Sequence, residues 1–396
     1  MQPPTRPTTA RPAWALLAAG LVALLPSCGG SGGAGAEPPA EALAALGARI
    51  FADGSLSASG RQSCASCHDP VHAHGPPNTL AVQPGGRVLD QQGRRAAPSI
   101  DYASFSGAFR FEPDGRPAGG LFLDGRAATL QAQAGEPLLS GIEMANNSRA
   151  ELVGRLAQAA YADEFKTLFG ATIFSSPDEA FDRATLALQQ FQLGAAFKPF
   201  SSKYDAHLRG AALLSAQEQR GMALFEDPAK GNCAACHPSR PAADSSPPPF
   251  TRFGYDNLGV PRNPDIIRNE DGLYFDLGLC GRADLRARTE LCGFFKTPSL
   301  RNVARRGSFF HNGRFNDLRQ VLSFYAQRDT EPQKWYPLKD DGSVDKFDDL
   351  PLRYRGAVNT AVAPYNRRPG DAPALSDSEI DDLLVFLQTL SDGYRP

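Results

Sequence analysis

Methionine, tryptophan and histidine are scarce, with 3, 2 and 6 residues in a chain of 396. No methionine follows Met222, so the remainder of the chain offers a metal no thioether side chain. The longest apolar run, Trp14–Leu25, has 12 residues, too few to cross a bilayer. A formal charge of -2 gives neither sign an excess, which removes the basic footprint of a nucleic-acid binder. Glycine and proline, at 38 and 33, are plentiful instead, so long loops are expected between regular elements.

The short apolar run suits an export signal, because Arg6 and Arg11 precede it and small residues follow. Residues 1–27 read as a signal peptide of the lipoprotein type, in which Leu25-Pro26-Ser27-Cys28 is similar to a lipobox and Cys28 becomes the lipid anchor. Pro26 is unusual there, and simple cleavage to a soluble form is the other reading. Residues 28–40, rich in Gly and Ala, read as a flexible tether. Periplasm or cell envelope is the expected location.

Two short stretches carry the chemistry. SCASCHDP sets Cys64, Cys67 and His68, and CAACHPS sets Cys233, Cys236 and His237, in the spacing of a c-type haem attachment. In such a site each thiol bonds one haem vinyl, and the histidine ligates the iron from one face. Zinc is the competing reading, but paired zinc knuckles lie about 15–20 residues apart. Cys64 and Cys233 are 169 apart. A redox CxxC has no need of His68 and His237. Cys280 and Cys292 remain, twelve apart, and an oxidising compartment makes a disulfide the expectation over two reduced core thiols.

Helical periodicity precedes each CxxCH. It covers Glu41–Asp53 before the first and Leu214–Asp227, opened by a Ser215/Glu218 capping box, before the second. Further helical pattern falls within residues 127–134, 149–170 and 176–197, and a last helix over Leu375–Leu390 follows a Ser376/Glu379 box. Residues 69–125 should be mainly loop. The repeated layout predicts a mostly α fold of two cytochrome c-like domains, residues 41–200 and 201–396. Each would hold one covalent haem, and the two would meet at an interface.

From about Leu46 to Leu390 the chain resembles the bacterial dihaem cytochrome c peroxidases and their relative MauG. The likeness rests on LGARIFADGSLSASGRQSCASCHDP, FLDGRAATLQAQAGEPLLSGIEM, GMALFEDPAKGNCAACH, FKTPSLRNVARRGSFFHNGRF and the closing helix. It implies a peroxidatic first haem on His68 with its other face open, and an electron-transfer second haem on His237. It further implies that Gln133 and Glu143 line the open face. Glu143 would carry the proton that must move between the two oxygens as peroxide splits, a general acid–base task. In the peroxidases a methionine fourteen residues after the histidine matching His311 ligates the second iron. Here that position is Tyr325, as in MauG. An anionic oxygen ligand favours ferric and higher iron states, so the resemblance implies Tyr325 as ligand and His311 as a hydrogen-bonding neighbour.

The chain departs from the family at two places. Leu123 stands where a tryptophan normally bridges the haems, so an interposed indole requires Trp335, Tyr102 or another aromatic to move in. Ala96 stands where an asparagine helps hold calcium between the domains, which makes calcium doubtful, although carbonyls near Arg306 and Ser308 could contribute. His72 and His74 follow the first CxxCH closely and read as solvent-facing loop residues rather than ligands.

The leading expectation is an exported dihaem peroxidase that reduces hydrogen peroxide with electrons from a small cytochrome c or cupredoxin. The alternative is a MauG-like oxidase that uses peroxide to modify a partner protein. A non-catalytic dihaem electron carrier is the third.

Overall fold

A computed structural model describes residues 37–395. The signal peptide, Cys28 and most of the tether lie outside the described residues. Among the described residues ten α-helices carry the fold: α1 Ala40–Ala52, α2 Cys64–Cys67, α3 Leu130–Leu139, α4 Arg149–Leu156, α5 Ala162–Phe169, α6 Pro177–Gln192, α7 Lys203–Leu208, α8 Ala216–Glu226, α9 Leu318–Gln327 and α10 Asp377–Gln388. Among the described residues, strand is limited to three two-residue antiparallel ribbons: Pro84–Gly85 with Gln91–Gln92, Arg110–Phe111 with Pro117–Ala118, and Tyr255–Asp256 with Phe295–Lys296. No helix among the described residues is long and apolar enough to cross a membrane.

Side-chain oxygens start α8 and α10 where the sequence predicted. Ser215 accepts from the Glu218 N–H while Glu218 accepts from that of Ser215, and Ser376 and Glu379 repeat the exchange. The expected helix over residues 149–170 is two helices instead. Tight turns over residues 155–162 part α4 from α5 and let the Tyr161 hydroxyl donate to Asp53 at 2.8 Å. The pattern at Ala127–Ala134 starts later, at Leu130, where Thr129 supplies the cap.

Two apolar cores lie on either side of residue 200. Leu46, Ile50 and Phe51 of α1 pack with Phe165 of α5 and Ala180, Phe181 and Leu188 of α6. Phe225 of α8, Phe324 of α9 and Ile380, Leu383 and Phe386 of α10 form the other. Full burial of each leucine, isoleucine or phenylalanine among them contributes about 1.5–3 kcal/mol. Both cores sit in one continuous unit from Pro38 onward. Tyr102 and Asn302 help tie the unit together by donating to Asp392 at 2.8 and 2.9 Å. Cys280 and Cys292 form the expected disulfide, with Cα atoms 4.8 Å apart.

Candidate active site

Ser63 and Ser66 cap the single turn of α2 and present Cys67 and His68 to a cavity of about 930 Å³. Burial pushes the Cys64 thiol up to about 12 and that of Cys67 to about 11, so neither is a reactive thiolate. His68 Nδ1 meets the His74 carbonyl oxygen at 3.1 Å, and as the donor it leaves Nε2 for an iron. Burial lowers the imidazole to about 4, which keeps it in the neutral form that ligates metals.

Gln133 of α3 and Glu143, from the turn after α3, line the same cavity. The Glu143 N–H donates to the Ser140 carbonyl at 3.0 Å, and its own carbonyl accepts from Gly86 at 2.8 Å. Gly85 lies so close beneath this turn that a Cβ there would meet the Ile142 carbonyl oxygen at 2.1 Å. Burial raises the Glu143 carboxyl above its ordinary value, against the lowering pull of Ser140 and Arg126. A carboxyl, an amide and a neutral imidazole therefore face one pocket.

The second cavity, about 1130 Å³, is lined by Cys233, Cys236, His237 and Tyr325. His237 repeats the first arrangement: Nδ1 meets the Phe250 carbonyl oxygen at 2.8 Å, and burial lowers the ring to about 4. Tyr325 of α9 stands between Phe310 and Tyr365, with ring centroids 5.7 Å from each. Burial pushes its hydroxyl well above the usual phenol range. Sequence reasoning passed over Tyr365, which lines the same cavity and whose buried hydroxyl has no hydrogen-bond partner among the described residues. His311 also lines this wall, with Nε2 3.2 Å from Asp349 and its ring stacked on Phe295 at 3.7 Å. The second cavity thus joins two thiols to an imidazole with one nitrogen free, and the first joins Cys67 to another such imidazole, with Cys64 at the start of the same single turn, each at the size of a cofactor pocket. The residues fit two c-type haems.

Leu123, Lys296, Pro298, Asp276 and Arg306 are among the residues that line both cavities, and among the described residues no aromatic side chain does so. Neither aromatic considered as a stand-in for the bridging tryptophan reaches either cavity. Tyr102 is held by Asp392, and Trp335 packs on Phe315 and Phe324. The expectation for His74 is corrected. It is buried, with Nδ1 2.7 Å from Asp101 and its ring stacked on Phe197 at 4.1 Å, because its carbonyl must stay fixed beside His68. His72 is half-exposed and pairs with Asp69 at 2.7 Å. The Ser308 carbonyl, one of the oxygens considered for calcium, accepts from Arg306 at 3.2 Å. Among the described residues no group of three or more His, Cys, Asp or Glu side chains is disposed to hold a metal ion. Lys296 and Arg306 both fall inside the FKTPSLRNVARRGSFFHNGRF stretch, but nothing in their spacing marks them as cavity residues.

A family model described as di-haem cytochrome c peroxidase matches residues 41–212. The methylamine utilization protein MauG of Paracoccus denitrificans is 37% identical over 371 residues, 91% of this chain and 92% of that protein. The cytochrome c551 peroxidase of Nitrosomonas europaea is 30% identical over 283 residues, 71% of each chain. Among solved structures, the diheme peroxidase BthA of Burkholderia thailandensis is 42% identical with a TM-score of 0.82, covering 89% of this chain and 86% of that one.

Proposed function

The chain belongs to the di-haem cytochrome c peroxidase family that includes MauG, and we propose that it is an exported enzyme reducing hydrogen peroxide with electrons from a small cytochrome c or cupredoxin. It is an oxidoreductase of the peroxidase type and a two-haem protein. In this reading Cys64 and Cys67 attach the first haem and Cys233 and Cys236 the second. His68 and His237 ligate the irons, and Tyr325 is the second ligand of the second iron. Residues 41–200 form the peroxidatic domain and residues 201–396 the electron-transfer domain. The signal at residues 1–27 directs the chain to the periplasm, with Cys28 as a lipid anchor. Calcium is left out of the proposal, because Ala96 brings no side-chain oxygen to its place.

When bound, the first haem supplies an iron that takes peroxide and accepts its oxidising equivalents. Glu143 takes the proton from one peroxide oxygen and returns it to the leaving one. Its raised carboxyl lies nearer the operating pH than an exposed glutamate, which suits a group that must both accept and donate. Gln133, on the same pocket, would donate an amide hydrogen bond to peroxide and help to orient it. The observation that carries the reading is the shared cavity of Cys67, His68, Gln133 and Glu143. Its test is steady-state peroxide turnover by the purified dihaem protein with a small cytochrome c or cupredoxin as donor. The assay is run oxidised and half-reduced, beside Glu143→Gln. Turnover that collapses in the variant supports the reading, and its absence from the parent protein under every condition overturns it.

A second reading, a MauG-like oxidase that modifies a side chain of a partner protein, is favoured by Tyr325 on the second cavity wall and by the 37% identity to MauG. Mass spectrometry of a co-exported partner treated with enzyme and peroxide decides it, and an unchanged mass removes it. Two haems that ignore peroxide would leave a plain electron carrier.

A further inference from the structure

Two cations stand in the wall shared by both cavities. Arg306 donates through Nη2 to the carbonyl oxygens of Ala97 at 3.1 Å and Ser308 at 3.2 Å. Lys296 reaches the Gly120 carbonyl and, at 3.3 Å, the Ser106 hydroxyl. Among the described residues neither is paired with a carboxylate, although several of the charges around them are. Arg95 holds Asp276 at 2.5 Å and Asp124 at 2.7 Å, Arg126 holds Asp124 at 3.0 Å and Glu136 at 2.8 Å, and Arg282 holds Asp284 at 2.6 Å. Burial lowers Lys296 to about 7 and Arg306 to about 10, which expresses the same deficit. A charge taken out of water is costly unless an opposite charge meets it. Asp276 shares this wall but is taken up by Arg95, so among the described residues the two cations lack a paired counter-charge.

Each haem carries two propionate carboxylates. We propose that Lys296 and Arg306 form a carboxylate-binding site in the wall between the cavities and take up propionates of the two haems there. The proposal rests on the two-haem reading. The same wall holds Leu123, whose backbone carbonyl accepts from the Lys296 N–H at 2.8 Å. The boundary is closed by an apolar side chain and two fixed cations, where the family places an indole.

A positive charge beside a haem favours the reduced iron, so its removal lowers the reduction potential. The test is spectroelectrochemical titration of the holoprotein, following each haem in its own band. Haem content of the parent protein is counted first. Fewer than two haems per chain overturns the two-haem reading and this proposal with it. With two haems present, Lys296→Met and Arg306→Met are expected to shift the potentials of both haems downward, and Lys296→Arg to restore them. Parental potentials in both methionine variants overturn this proposal alone. Resonance Raman spectra of the unsubstituted holoprotein give a reading that needs no variant. Propionate bending bands displaced by hydrogen bonds to protein cations support the site, and bands of water-exposed propionates overturn it.

Discussion

In the first half of the chain α1 crosses α6 at Gly47, where a Cβ would meet the Ala187 carbonyl oxygen at 2.0 Å. In the second half α8 crosses α10 at Gly221, where a Cβ would meet the Asp382 carbonyl oxygen at 2.1 Å. Phe51 and Phe225, each four residues on, are both buried, and a CxxCH follows each helix. Each CxxCH histidine turns Nδ1 to a loop carbonyl. The frames match, and the walls opposite the histidines do not. The first wall offers Glu143 and Gln133, and the second offers Tyr325 and Tyr365 packed with Phe310. In the proposed reading the common frame presents a haem ligand, while the rest of each lining decides what that haem does. A carboxyl and an amide face one cavity, and two tyrosines face the other.

The sharpest way to break this comparison is to exchange function across it. Glu143→Gln is expected to lower peroxide turnover by about 10²–10⁴-fold, the usual worth of a positioned acid–base group, and to leave the second haem's absorption spectrum unchanged. Tyr325→Met is expected to change that second spectrum and leave the first haem's untouched. Stopped-flow turnover and the absorption spectra of both ferric variants check the pair. If either substitution alters the other haem, the two walls do not act separately.

The second half also holds a buried ion pair that tests how firmly its frame stands. Arg301 grips Asp205 through two hydrogen bonds of 2.8 Å, and neither side chain is exposed. Asp205→Ala strands the guanidinium in the interior and should cost about 3–5 kcal/mol. Urea denaturation of the holoprotein measures it, and a loss below about 1 kcal/mol would mean that water or another group reaches Arg301.

Much of the frame was legible because its signals are local. CxxCH, the Ser215/Glu218 and Ser376/Glu379 boxes and the apolar faces of α1, α8 and α10 all lie within a few residues of themselves. What stayed hidden joins distant segments. Asp205 and Arg301 are 96 residues apart, and Arg95 and Asp276 are 181 apart. No periodicity connects such pairs. His74 misled for a related reason, since a polar residue in a Gly/Pro-rich stretch reads as exposed. Here the loop is pinned by side chains such as Asp101 and Ser99, whose hydroxyl donates to Ala73 at 2.6 Å. Leu123 showed that the indole was missing but could not show the cations beside it.

The matched crossings predict matched damage. Gly47→Ala and Gly221→Ala each force a methyl against a neighbouring helix backbone and should each cost about 3 kcal/mol through overpacking. Thermal unfolding of both variants is the check. A loss at one position without the other would show that only one half depends on this close crossing.

The smallest expected effect belongs to the contact between the matched frames, not to either one. Burial alone would raise the Asp276 carboxyl, but the two hydrogen bonds and the charge of Arg95 more than offset it and hold it at about 2. An unfolded aspartate titrates near pH 3.9. Because the folded value is the lower one, the stabilisation is fully present above about pH 4 and is lost as the pH falls toward 2, with a worth of about 2.6 kcal/mol. Asp276→Asn should therefore lower stability at neutral pH and flatten its dependence between about pH 4 and 2. Arg95 precedes the first core's helices α3 to α6, whereas Asp276 lies in the second half beyond α8. Retention of the full acid slope in Asp276→Asn would move the acid-sensitive contact elsewhere, with Asp205 and its Arg301 partner next in line because that carboxyl too is held below its ordinary value.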